Sequence, residues 1–327
     1  MKSYTGILAL VSLTFACSRG ATTTPTPTFG PDTIAISSIA RELSSDANRG
    51  RGPWTPENER VARQLADRLA ALGARPVFGT SLLVPFTTPG RPKDTVFNVV
   101  GILPGKSGST NGETVGITAH LDHLGVGAPD ATGDSIYNGF LDDAVSIAMI
   151  LDLSKRWVAS PGNRPLTVMF FNLEEQGLLG AQALAARSDA PPFMDRLGLL
   201  IGVDAGSPAG EATTWQLMGA QPPSVGSRIV DSLARVRGWT TNATPPRGIN
   251  DVYVFSQHGV PIVFPIPGAT WRGYTKEQHD DAMRRFDHYH QPSDQWRADF
   301  PWVGTAIYAE WLWERVKSAA NALSPLR

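Results

Sequence analysis

The sequence predicts an α/β fold, a mostly parallel sheet flanked by helices, and three observations carry that reading. Apolar runs of strand length alternate with helical patterns from Leu103 to Asp204, as a parallel sheet built through helical crossovers requires. Three of the runs end in ligand-type residues: Thr114–Ile117 leads to His120, Leu166–Leu173 to Glu174 and Glu175, and Leu197–Val203 to Asp204. The 327 residues are 42% hydrophobic with 32 glycines and 26 prolines, enough for one large core joined by many loops.

Taken in order, residues 1–17 carry one early charge, Lys2, and an apolar run from Ile7 to Ala16, too short to span a bilayer and suited to an export signal. Leu13-Thr14-Phe15-Ala16-Cys17 is similar to a bacterial lipoprotein cleavage box, which makes Cys17 a candidate lipid anchor. Ordinary signal-peptidase cleavage near Ala16 or Ala21 is the alternative, giving a periplasmic or secreted protein. Cys17 is the only cysteine, so the mature chain has no internal disulfide. Residues 18–31 are Thr/Pro-rich and read as a tether, and residues 32–327 as a single domain. The net charge of −1 and the dispersed Lys and Arg provide no basic stripe, which excludes a nucleic-acid partner.

Thr33 to Leu43 reads as a short amphipathic helix. Thr55-Pro56-Glu57 supplies the N-cap, first-turn proline and acidic first turn of a second, with Val61, Leu65, Leu69 and Leu72 on one side and Gly73 at its end. Leu82–Phe86 and Val96–Leu103 read as strands. Asn138–Asp143 leads into the apolar helix Ala144–Leu151, where the free N–H groups favour negative charge; capping explains one of Asp142 and Asp143, and not both. Ser224 to Gly238 reads as a helix, Val260–Pro265 as a late strand and Asp299 to Ala319 as the closing helix. The polar, aromatic-rich stretch between the last two reads as a functional loop.

His120 emerges at the C-terminal end of its strand, where open α/β sheets place ligands, and Asp122, two residues on, fits the carboxylate that orients a metal-bound imidazole. Adjacent carboxylates at a strand end, as in Glu174-Glu175, are costly unless a cation or a raised pKa relieves them. The inventory of His, Asp, Glu, Asp and His is the nitrogen and oxygen donor set that zinc takes at catalytic sites.

Three motifs carry a resemblance over most of the chain: Ala119-His120-Leu121-Asp122-His123-Leu124-Gly125, Phe171-Asn172-Leu173-Glu174-Glu175-Gln176-Gly177-Leu178-Leu179-Gly180 and Tyr289-His290-Gln291-Pro292-Ser293-Asp294. The sequence resembles the co-catalytic di-zinc aminopeptidase family, which also includes glutamate carboxypeptidases and glutaminyl cyclases. The resemblance implies a three-layer sandwich, a mixed, mostly parallel eight-stranded sheet between helices of the phosphorylase/hydrolase-like kind. It implies two zinc ions, with His120 and Asp204 on one, Glu175 and His290 on the other and Asp142 bridging them through a cis Asp142–Asp143 peptide. Glu174 is implied as general base, Asp122 as orienter of His120, and Asp294 as orienter of His290. His288 competes with His290, and the Tyr-His-x-Pro-x-Asp spacing favours the latter. His123, His258 and His279 read as structural or surface residues.

Two departures stand out. The family's Gly-Ala-Asp-Asp-Asn-Ala-Ser-Gly run is Gly139-Phe140-Leu141-Asp142-Asp143-Ala144-Val145-Ser146 here, and its Ser-Asp-His near the last strand is Asn250-Asp251-Val252. The function implied is a zinc exopeptidase acting on peptides, an aminopeptidase first. A one-zinc glutaminyl-cyclase-like acyltransferase, a carboxypeptidase or dipeptidase of the same family, and a non-enzymatic binding module are the alternatives. Trp271, Tyr274 and Trp296 are expected either to line an apolar substrate pocket or to serve packing alone.

Overall fold

The computed structural model describes residues 30–204 and 208–327. The leader, Cys17 and residues 18–29 of the tether lie outside the described residues. In chain order the elements begin with helix α1 (Thr33–Leu43), a 3-10 turn (Asp46–Arg51) and α2 (Pro56–Ala71). Strands β1 (Arg75–Pro76), β2 (Leu83–Thr88), β3 (Arg91–Leu103) and β4 (Thr114–His120) follow, then a small hairpin of β5 (Gly125–Val126) and β6 (Ile136–Tyr137). A π turn (Phe140–Ala144) opens α3 (Val145–Ala159); β7 (Leu166–Phe171), α4 (Leu179–Ala185), α5 (Pro191–Met194) and β8 (Leu197–Gly202) come next. The chain ends with β9 (Thr214–Met218), α6 (Val225–Val236), β10 (Thr240–Thr244), α7 (Val252–Ser256), β11 (Ile262–Pro267), α8 (Lys276–Phe286) and α9 (Val303–Asn321).

Nine strands form one sheet in the order β1-β3-β7-β4-β8-β11-β9-β10, with β2 also on β3. The central strands β7, β4, β8 and β11 are parallel, while β1, β2 and β3 on one flank and β9 against β11 on the other pair antiparallel. The sheet is therefore mixed, one strand larger than expected and parallel chiefly at its centre. That centre is buried on both faces: every residue of β4, β7 and β8 is buried, which is why these strands read as continuous apolar runs. One core packs Leu65, Leu69, Ile147, Ile150, Trp311 and Leu312 of α2, α3 and α9 on one face. A second packs Phe171, Leu184, Phe193 and Phe255 with α4, α5 and α7 on the other. Three layers result.

Local signals set the helix starts. Thr55 accepts from the Asn58 N–H with Pro56 in the first turn, and Ser224 closes a capping box with Ser227. The stretch expected to be a long loop contains α8, which Thr275 and Gln278 start with another capping box. Its buried side is thin, with only His279 buried among eleven residues, so no apolar period announces it. Among the described residues no helix is long and apolar enough to cross a membrane.

Candidate metal centre

The C-terminal ends of β4, β7 and β8 deliver His120, Glu174-Glu175 and Asp204 to one edge of the sheet, and the π turn before α3 brings Asp142 between them. His120 Nε2 lies 2.9 Å from Asp142 Oδ1 and 3.4 Å from Asp204 Oδ1. His290 Nε2 lies 3.2 Å from Asp142 Oδ2 and 3.1 Å from Glu175 Oε2. Asp142 thus faces one group with each oxygen. The peptide between it and Asp143 is cis.

These spacings suit a cation. Ligand atoms on one tetrahedral zinc, each ~2.0–2.1 Å from the ion, lie ~3.3 Å apart. Asp142 Oδ2 and His290 Nε2 are buried without a hydrogen-bond partner, although they face each other. His120 Nδ1 lies 3.1 Å from the Asp122 carbonyl and Nε2 faces two carboxylate oxygens, an arrangement satisfied by a positive charge, either on the ring or on an ion among these groups. Burial alone would raise Asp142; the imidazoles of His120 and His290 instead hold it well below the usual carboxylate range. Nitrogen and oxygen donors with no sulfur among them fit zinc.

Two orienting roles differ from expectation. The Asp122 carboxylate is 3.8 Å from His120 Nδ1 and instead accepts the Glu174 and Glu175 N–H groups, so it fixes the turn after β7 while its backbone carbonyl holds His120. Asp294 does not reach His290. It accepts the Leu141 and Asp142 N–H groups and thereby holds the loop that carries Asp142; burial pushes it up to about 7. Asp143 accepts the His120 backbone N–H and lies 4.0 Å from Nε2 of the same residue, close to the His120 and Asp204 group without bridging to His290. His288 is half-buried and its Nδ1 pairs with the Ser293 hydroxyl, away from the carboxylates of the site.

Glu174 stands among the acidic groups of the first set. Burial pushes its carboxyl up to about 10, with Asp204, Asp251 and Asp122 adding to the rise and His120 opposing it. Asn250, in the altered Asn-Asp-Val run, donates to Asp204 Oδ2 at 2.7 Å and so steadies that carboxylate. Asp251 beside it is fully buried, and burial raises it well above its ordinary value.

Sequence reasoning missed the residue that frames the loop. Arg51 is fully buried, and its five N–H groups donate to the carbonyls of Leu43, Leu121, Asn138, Gly139 and Asp142 at 2.8–3.2 Å. The backbone carbonyl of Arg51 accepts from Asn58, which exchanges bonds with Asn172 beside the Glu174 turn. Gly139 at φ 61° is required here: a Cβ would lie 2.2 Å from the Asp142 carbonyl and 2.7 Å from the Arg51 guanidinium. His123, read as structural or surface, is buried beside Glu175.

A cavity of about 450 Å³ opens onto Asp142 and Asp204, walled by Phe264, Ile266, Trp271, Met283, Phe286 and Phe300. Trp271 belongs to it as expected, and so does His279, which packs edge-on against Trp271. Tyr274 and Trp296 do not line it. Tyr274 packs behind Trp271, and Trp296 donates to Ser37 beneath the Arg41 guanidinium, which places both in packing roles.

Several solved structures share this architecture. The aminopeptidase from Aneurinibacillus sp. strain AM-1 aligns with a TM-score of 0.63 at 12% identity, over 91% of this chain and 96% of that one. BSAP, a zinc aminopeptidase from Bacillus subtilis, aligns at 0.64 and 13%, over 90% and 98%. The glutaminyl cyclase of Porphyromonas gingivalis aligns at 0.65 and 15%, over 88% and 98%. A search of curated proteins finds no match. A model of Peptidase family M28 matches residues 98–313, a span that holds all seven of His120, Asp122, Asp142, Glu174, Glu175, Asp204 and His290, and the chain belongs to that family.

Proposed function

We propose that the protein is a zinc-dependent exopeptidase of the aminopeptidase type that hydrolyses N-terminal peptide bonds with two zinc ions. The observation that carries the reading is the position of Asp142, one oxygen facing His120 and Asp204 and the other facing Glu175 and His290. His120 and Asp204 would hold one ion, Glu175 and His290 the other, with Asp142 shared. Bound zinc supplies Lewis acidity and lowers the pKa of a water from 15.7 toward ~7.

The chain's own residues supply the rest. Glu174 is the general base: its carboxylate takes the proton of the attacking water and returns it to the leaving amine. Burial among acidic groups raises its carboxyl in the metal-free chain; cations held beside it would favour the carboxylate that accepts a proton. The Asp122 carboxylate holds both N–H groups of the Glu174-Glu175 turn, so proton transfer and ligation stay with different side chains. The cavity takes an apolar terminal side chain, which sets the adjacent peptide at the mouth where Asp142 and Asp204 would hold metal. None of the described lining residues is Lys or Arg, the usual partners of a terminal carboxylate, which weighs against a carboxypeptidase.

A one-zinc glutaminyl-cyclase-like acyltransferase is the second reading, favoured by an equal likeness to the Porphyromonas gingivalis enzyme. Bound zinc per chain, with hydrolysis of leucyl-anilide and cyclisation of glutaminyl peptides measured on the same protein, separates the two. Two zincs with leucyl hydrolysis are expected; one zinc with cyclisation would overturn the peptidase reading. The leader supports export, with Cys17 as the membrane anchor and peptides outside the cytoplasm as substrates.

A further inference from the structure

We infer that His123 is a positioning residue for Glu175: its Nδ1–H donates to Glu175 Oε1 and so turns the other oxygen, Oε2, toward His290 and Asp142. The inference deepens the two-zinc reading above and rests on it. His123 Nδ1 is 2.8 Å from Glu175 Oε1, and Oε2 of that carboxylate is 3.1 Å from His290 Nε2. The two oxygens of Glu175 are thus divided between two imidazoles. His123 lies past the end of β4, where its backbone N–H donates to the Arg51 carbonyl at 3.3 Å and its ring meets that of His290 edge-on. The ring edge lies over Gly139, where a Cβ would be 2.7 Å from His123 Cδ2.

The geometry favours donation over direct ligation. The separation of 2.8 Å is a hydrogen-bond length. The second carboxylate in reach, Asp142 Oδ2, is 3.8 Å away. A ligating imidazole gives its other N–H to a partner, yet His123 Nε2 is buried without one. With the proton on Nδ1, Nε2 carries only a lone pair and no buried donor is orphaned. Asp142, Glu175 and His290 already make three protein ligands, the number that leaves a catalytic position open.

The test has two readouts. In ¹⁵N-histidine-labelled protein, long-range ¹H–¹⁵N correlation spectra report the His123 tautomer with and without zinc. Zinc affinities are measured by chelator competition for wild type, His123→Leu and His123→Asn, whose amide nitrogen falls where Nδ1 lies. Nδ1 is expected to stay protonated in both states. His123→Leu should weaken one of the two zincs by about 10–100-fold, the usual cost of removing a partner that orients a ligand, while His123→Asn keeps most of the affinity. A proton lost from Nδ1 on zinc loading, or His123→Asn as weak as His123→Leu, would make His123 a ligand and overturn the inference. Unchanged affinity in His123→Leu would overturn it as well and leave the function standing. Wild-type protein that binds no zinc would overturn the function first, and the inference with it.

Discussion

Arg51→Lys is the sharpest structural perturbation available, because it keeps a positive charge and removes the fork. Arg51 is fully buried with all five N–H groups on backbone carbonyls, three of them from the Asn138–Asp142 segment that carries the shared carboxylate. Lysine offers three donors from one point, so at least two carbonyls lose their partner. A buried hydrogen bond to a charged group contributes about 1.5–3 kcal/mol, so the loss is roughly 3–6 kcal/mol, with relaxation favouring the lower end. In a chain this long about 3 kcal/mol lowers the melting temperature by roughly 6 °C. Denaturant unfolding followed by tryptophan fluorescence, with chelator present throughout, isolates the effect from metal loss. Zinc titration should then show both affinities reduced, since the Asp142 loop is no longer held. A variant within about 1 kcal/mol of wild type, with unchanged zinc affinities, would refute the argument that this guanidinium pre-forms the site.

Two further predictions lie away from the centre. Asp152 on α3 accepts the Asp32 N–H at 3.3 Å, while its second oxygen is buried without a partner, and burial raises its pKa. An acid raised in the folded state makes stability fall as pH climbs above its unfolded value of ~3.9; Asp152→Asn should therefore melt higher than wild type at pH 7.5, with the difference closing toward pH 4. Melting curves that keep a constant gap across this range would contradict it. For the leader, wild-type protein made in a bacterial host should incorporate labelled palmitate and sediment with membranes, and Cys17→Ser should do neither; soluble, unlabelled wild type would leave secretion as the reading.

What the sequence made legible follows from where physical signals are local. Strands buried on both faces read as apolar runs, and each run led to a residue that the fold brings to one edge: His120 at the end of β4, Glu174 and Glu175 after β7, Asp204 after β8. The cap at Thr55 was visible because capping acts over three residues. Arg51 was not visible, since its partners lie 8 to 91 residues away and backbone carbonyls carry no side-chain signature. His123 follows the end of β4, where period-two alternation stops and side-chain direction can no longer be counted. Asp122 and Asp294 were placed near their targets, yet both spend their carboxylates on backbone N–H groups, a choice only the folded loop reveals. Strands β9 and β10, at one flank of the sheet, mix polar and apolar residues, and α8 is mostly exposed, so none of the three stood out from loop.

The central claim is that neighbouring glutamates divide the chemistry, Glu175 holding an ion and Glu174 moving a proton. The direct measurement is zinc content and turnover of Glu174→Gln beside Glu175→Gln. The account predicts that Glu174→Gln binds two zincs and unfolds like wild type while kcat drops by ~10²–10⁴, the range for general acid–base work. Glu175→Gln should bind one zinc fewer and melt lower, because Asp142 and its neighbours then face one another without their cation. Full turnover in Glu174→Gln, or loss of zinc from that variant instead of Glu175→Gln, would contradict the account.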